Sequence, residues 1–153
     1  MTNNDVLRRL RYTFDYTDDK MISFFQNANL RITRAEVTDW LKSDDDEAFK
    51  KIDDFHLAAF LNGLIISYRG KRDGKIPENE TTLTNNDVLK KLKIAYQLKS
   101  EDILELYRLA GKTLTKGELG SFLRQENQPK YKELMDQYLR NFLLGLQLKH
   151  KTK

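Results

Sequence analysis

This chain predicts an all-α protein, a tandem duplication of a four-helix unit whose two halves pack with pseudo-twofold symmetry. Three observations lead there. Thr2-Asn3-Asn4-Asp5-Val6-Leu7 returns letter for letter as Thr84-Asn85-Asn86-Asp87-Val88-Leu89, and the offset of 82 positions holds without a gap to the end of the chain. Along that offset Leu10 meets Leu92, Ala28 meets Ala110, Thr33 meets Thr115, Asp54 meets Asp136 and Gly63 meets Gly145. A repeat of this length is one structural unit used twice. Within each copy, apolar residues recur at helical rather than strand spacing. Finally, 153 residues leave each copy marginal as an independent core, so the halves are expected to share buried surface. The division expected is a first repeat over 1–70, a linker over 71–83 and a second repeat over 84–153.

The first helix opens at Thr2-Asn3-Asn4-Asp5, which offers N-cap side chains and an acid beside the helix N-terminus. Val6, Leu7, Leu10 and Phe14 share a face, as do Val88, Leu89, Leu92 and Tyr96. The second helix follows Thr17-Asp18-Asp19, or Ser100-Glu101-Asp102, and carries Met21, Ile22, Phe24, Phe25 and Ala28. Asn29 and Gly111 then stand at one turn position, and both residue types tolerate the left-handed conformation that ends helices. The third helix begins with the capping boxes Thr33-x-x-Glu36 and Thr115-x-x-Glu118.

An acidic loop, Ser43-Asp44-Asp45-Asp46-Glu47, leads to the fourth helix, whose start is expected near Glu47 and Pro129. Phe49, Ile52, Phe55, Leu57, Phe60, Leu61, Leu64 and Ile65 would wrap this helix, which suits a central position. Gly63 and Gly145 lie inside it at a cost of about 1 kcal/mol relative to Ala, so a close helix crossing is expected there. Between the copies, Arg69-Gly70-Lys71-Arg72-Asp73-Gly74-Lys75-Ile76-Pro77 reads as a connector.

With 39% hydrophobic and 33% charged residues the composition is that of a folded helical protein. There is no membrane-length apolar run and no basic-then-apolar leader at Met1-Thr2-Asn3, so a cytoplasmic location is expected. The absence of cysteine excludes disulfides and thiolate chemistry. The net charge of +4 is lopsided: residues 1–70 carry net −2 and residues 84–153 net +6.

No catalytic set stands out. His56 and His150 are not repeated, and neither has a second ligand at metal-binding spacing, so no metal and no cofactor is expected. The paired carboxylates Asp5/Asp87 and Glu36/Glu118 are explained by helix caps, leaving Asp54/Asp136 as candidates for a remote enzymatic reading at the repeat interface. The acidic loop lacks the alternation and glycine of a calcium loop and reads as solvated.

The basic residues offer more. Arg8, Arg9 and Arg11 correspond to Lys90, Lys91 and Lys93 on the first helix, and Arg34 and Lys42 to Lys116 and Arg124 on the third. Charge is kept while residue type changes, which suits phosphate contact rather than base reading. Helices two and three also resemble a helix-turn-helix at low specificity. The commoner explanation is a solvated helix face, since lysine and arginine are good helix formers. The reading adopted is a non-enzymatic binding protein acting through a protein partner, with a nucleic-acid regulator as the alternative. A monomer with the symmetry of a dimer and no membrane association is expected.

The doubled Thr-Asn-Asn-Asp-Val-Leu opening, Ile32-Thr33-Arg34-Ala35-Glu36-Val37, Phe60-Leu61-Asn62-Gly63-Leu64-Ile65 and the following Arg69-Gly70-Lys71 together resemble the YehS-like family of small bacterial proteins. The resemblance spans the chain, including its duplication. It implies a cytoplasmic bacterial protein of unknown function and brings no active site to transfer. The second copy departs at Leu144 and Gln147, where Asn62 and Ile65 stand in the first, so the two copies need not present equivalent surfaces.

Overall fold

The amphipathic segments of the sequence become eight helices in a computed structural model that describes residues 1–151. In order they are α1 (Asn3–Phe14), α2 (Asp18–Asn27), α3 (Arg34–Leu41), α4 (Asp54–Tyr68), α5 (Asn85–Ala95), α6 (Ser100–Leu109), α7 (Lys116–Leu123) and α8 (Asp136–Lys151). Among the described residues the only extended pairing is an isolated bridge between Arg72 and Lys75. Thr152 and Lys153, the end of the expected second repeat and of its lysine-rich tail, lie outside the described residues.

Caps set most helix starts. Thr2 and Thr84 accept from the amides of Asp5 and Asp87, whose carboxylates accept in return from the Thr2 and Thr84 amides. Thr33/Glu36 and Thr115/Glu118 form the same boxes at α3 and α7. Asn29 (φ 64°) and Gly111 (φ 81°) adopt the left-handed conformation expected after α2 and α6. The connector turns through Asp73 and Gly74, both at positive φ, beneath the Arg72–Lys75 bridge.

The fourth helix of each repeat starts later than the sequence suggests. Helix α4 begins at Asp54 rather than near Glu47, and α8 at Asp136 rather than near Pro129. Phe49 and Ile52 therefore precede the helix. The cause is a side chain on α1. Asn4 donates to the carbonyls of Trp40 and Lys50 (both 2.9 Å) and accepts from the Ile52 amide at 3.2 Å. Backbone groups that a longer helix would have used are thus already paired. Asn86 repeats the clamp on Phe122, Lys132 and Leu134. Asp53 then caps α4 by accepting from the His56 amide.

One hydrophobic core runs through both repeats. Helix α4 packs on α2 and on α5 of the other repeat, and α8 reciprocally packs on α6 and on α1. This exchange of contacts is the pseudo-twofold arrangement. Near its axis the equivalent residues Phe14 and Tyr96 stack at 4.5 Å. The Tyr16 hydroxyl lies 3.0 Å from that of Tyr68 and 2.9 Å from that of Tyr96. Burial, with those neighbouring oxygens, holds the Tyr16 phenol protonated far above its ordinary range. The glycine crossings are present in both repeats: a Cβ on Gly63 would overlap the Phe24 carbonyl, and one on Gly145 the Leu106 carbonyl.

Candidate functional site

The repeated Thr-Asn-Asn-Asp motif is fully occupied in holding the fold. Beyond the caps and clamps, Asn3 donates to the Ile52 carbonyl and to Asp54 Oδ1 (2.8 Å), and Asn85 to the Leu134 carbonyl and Asp136 Oδ1 (2.7 Å). The second oxygen of each aspartate reaches across the repeat boundary. Asp54 Oδ2 accepts from the Leu83 amide at 2.9 Å, and Asp136 Oδ2 takes the Met1 ammonium at 2.7 Å. Met1 and Leu83 are equivalent positions, so one tie is made twice. Hydrogen bonds from that ammonium and from Asn85 hold the Asp136 carboxyl below its ordinary range. Asp5/Asp87, Glu36/Glu118 and Asp54/Asp136 thus all have structural partners.

Many of the predicted basic contacts are also engaged internally. Arg8 pairs with Asp44 (2.9 Å), Arg11 with Asp18 (3.6 Å) and Lys42 with Asp39 (2.7 Å). Lys116 meets Glu101 at 3.6 Å, and Arg34 is held by Asp18 and Asp19 of α2. Lys90 donates to the Arg124 carbonyl. Lys93 and Arg124 form no ion pair with a described residue. His56 sits against Asp53 and the Trp40 ring.

The two remaining residues, Lys91 and Arg9, are equivalent, and their surroundings differ. Lys91 lies in the α4/α5 seam with its side chain only 13% exposed. Its ammonium bonds Asn62 Oδ1 at 2.7 Å and Glu80 Oε2 at 2.6 Å. Asn62 in turn donates to Asn79 Oδ1 and Glu80 Oε1, and Asn79 donates to the Ala28 carbonyl. Partial burial pushes the Glu80 carboxyl up, but hydrogen bonds from Lys91 and Asn62 outweigh it and leave the group below its ordinary range. The end of the connector is therefore fastened onto the seam by one carboxylate.

Arg9 occupies the same place in the α1/α8 seam, where the position of Asn62 is taken by Leu144. Its Nη1 is buried and has no hydrogen-bond partner. Beside it opens a cleft of about 450 Å³ lined by Met1, Asp5, Arg8, Arg9, Tyr12 and Arg140. Its lining carries three guanidinium groups and one carboxylate, with Arg8 already paired to Asp5 and Asp44. Arg140 comes from exposed α8 surface, and its counterpart in the first repeat is the fully buried Ala58.

The basic-face reading of the sequence includes Arg9 but does not single it out, and it misses Arg140 entirely. The signal was present at two places in the alignment of the copies: Leu144 against Asn62, and Arg140 against Ala58.

With the geometry in view, comparison with known proteins is informative. Residues 3–70 and, separately, 85–151 match a family described as "Protein of unknown function (DUF1456)". The chain belongs to this family. The two matched segments coincide with the two packed units. The chain is also 36% identical to "Uncharacterized protein YehS" of Escherichia coli (strain K12), over all of this chain and 99% of that protein. No solved structure matches. Among the described residues no helix is long and apolar enough to cross a membrane.

Proposed function

We propose that this protein is a non-enzymatic binding module acting through a protein partner, and that the α1/α8 cleft is where the partner is held. The observation that carries this reading is the buried, unpartnered Nη1 of Arg9 at a cleft shared with Arg8 and Arg140. An unsatisfied buried donor costs about 1–3 kcal/mol, more when charged, and a shift of Arg9 toward an anionic group held in the cleft would recover that cost. Asp54 and Asp136, the carboxylates available for catalysis, are held by hydrogen bonds that join the repeats. The molecule is read as a cytoplasmic monomer carrying the symmetry of a dimer.

The test is capture from a native cell extract after nuclease treatment, using the full chain and its Arg9→Gln variant. The reading expects a protein retained by the former and lost by the latter. Retention that ignores Arg9→Gln, or none at all, removes the cleft from the account.

Nucleic-acid binding is the competing reading, and Lys93 and Arg124 favour it, since neither is in an ion pair with a described residue. It expects binding to duplex DNA or RNA that weakens steeply with salt and falls on neutralising Lys90, Lys91 and Lys93. The pairing of Arg8, Arg11, Arg34, Lys42, Lys91 and Lys116 with carboxylates weighs against it.

A further inference from the structure

The molecule contains its own example of how such a seam is filled. At α4/α5 the occupant is a short segment without regular structure, Asn79-Glu80, whose carboxylate takes the ammonium of Lys91. That segment runs on to Leu83, whose amide is bonded to Asp54. At α1/α8 the equivalent of Leu83 is Met1, held by Asp136 in the same way. A residue two positions before the equivalent of Thr82 would lie beside Arg9. The arginine-lined cleft opens there, bounded by both Met1 and Arg9.

We infer that the α1/α8 cleft docks an acidic peptide segment of the partner protein, with a glutamate or aspartate carboxylate on Arg9 as Glu80 lies on Lys91. The inference rests on the cleft being the partner site, and it adds the chemistry of the occupant.

Three features favour a peptide carboxylate. The template within the chain is a carboxylate on a peptide. A guanidinium offers two parallel donors to a carboxylate, where the Lys91 site uses one ammonium assisted by the Asn62 amide, so Arg9 can dispense with the amide that Leu144 lacks. And Tyr12, 57% exposed at the cleft wall, supplies an apolar face beside the charges for a peptide side chain to cover. Arg140 adds a cation with no counterpart in the first repeat, which suits a segment carrying more than one acid.

The probe is a capped synthetic peptide copying residues 74–81, Gly-Lys-Ile-Pro-Glu-Asn-Glu-Thr, and its form with glutamine in place of the second glutamate. Binding to the full chain is measured by calorimetry at low salt and repeated at 0.5 M salt. The expected result is an affinity that falls roughly tenfold for the glutamine peptide and for Arg9→Gln, less for Arg140→Gln, and that weakens with salt. Arg9→Lys is expected to retain part of the binding. Circular dichroism of each variant confirms that it folds, and Arg140→Gln changes an exposed residue should Arg9→Gln not fold.

No binding at millimolar peptide overturns the inference, as does equal affinity for the two peptides or indifference to both arginine substitutions. Inorganic phosphate or a short oligonucleotide binding the cleft more tightly than the peptide overturns it too. If the peptide fails while nuclease-resistant capture still depends on Arg9, the occupant has been misassigned and the partner reading stands. If that capture also fails, the partner reading falls as well.

Discussion

The two seams between the repeats have one plan and different contents. At α4/α5 the cation Lys91 is enclosed by Asn62 and Glu80, and the connector is fastened over it. At α1/α8 the cation Arg9 has Leu144 at the position equivalent to Asn62, its Nη1 is unpaired, and beside it opens a cleft with Arg8 and Arg140. The first arrangement satisfies a charge internally, so it contributes to stability and has nothing left to offer a ligand. The second leaves a buried guanidinium nitrogen without a partner, which costs stability. On the proposed reading, duplication lets one copy serve structure while the other is released for binding.

The largest expected effects test whether the frame beneath both seams is equivalent. Gly63→Ala and Gly145→Ala each place a Cβ on a carbonyl of the crossing helix, and each is expected to cost roughly 3 kcal/mol or more. Thermal unfolding reads this as a fall of around 10 °C. A mild effect in one repeat alone would mean that its helix crossing relaxes and that the symmetry is superficial.

Next come the clamps. Asn4→Ala and Asn86→Ala each leave two carbonyls and one amide without their partner, for an expected loss of about 2–3 kcal/mol in either repeat. Denaturant unfolding of the two variants should give similar midpoints.

The sharpest comparison is between the seams themselves. Lys91→Met strands Glu80 and Asn62 and is expected to destabilise by about 1–2 kcal/mol. Arg9→Met removes a guanidinium whose buried Nη1 has no partner while keeping much of the side-chain packing, and is expected to leave the melting temperature unchanged or raise it slightly. Equal destabilisation by both substitutions would erase the distinction drawn here.

The smallest effect is pH-dependent. Glu80 has a folded-state pKa below its ordinary 4.5, so the stability it contributes is present above that value and is lost as pH falls through the depressed one. Its side chain is 44% exposed, so solvent screens the pair and the effect is modest. Glu80→Gln is expected to flatten the acid limb of a melting-temperature profile by about 1–2 °C. An unaltered acid limb would show that the connector is held by something other than this ion pair.

Much of this architecture was legible in the residues. The duplication, the threonine–glutamate capping boxes, the left-handed turn at Asn29 and Gly111 and the close crossings at Gly63 and Gly145 all depend on local chemistry or on direct comparison of the copies. The starts of α4 and α8 were not legible, because they depend on Asn4 and Asn86 reaching segments more than 35 residues away. Those asparagines were visible as an exact repeat, and a cap explains only Thr2 and Asp5 beside them. The cleft was less legible still. Charge along α1 and α5 is plain in the sequence, but which cations are already paired depends on Asp18, Asp44 and Glu80 arriving from other elements. Arg140 stands where the first repeat has Ala58, so the residues that the copies share do not reveal it.

The paired ties from Asp54 to Leu83 and from Asp136 to Met1 have a topological consequence. If the start of α1 stands to the end of α8 as the start of α5 stands to the end of α4, then the bridge spanning residues 69–83 would fit equally well between Lys151 and Met1. A ring closed with a second such bridge could be opened at Gly74 to give a circularly permuted chain with the same core. It would also lay a second Asn-Glu pair beside Arg9, at the mouth of the cleft.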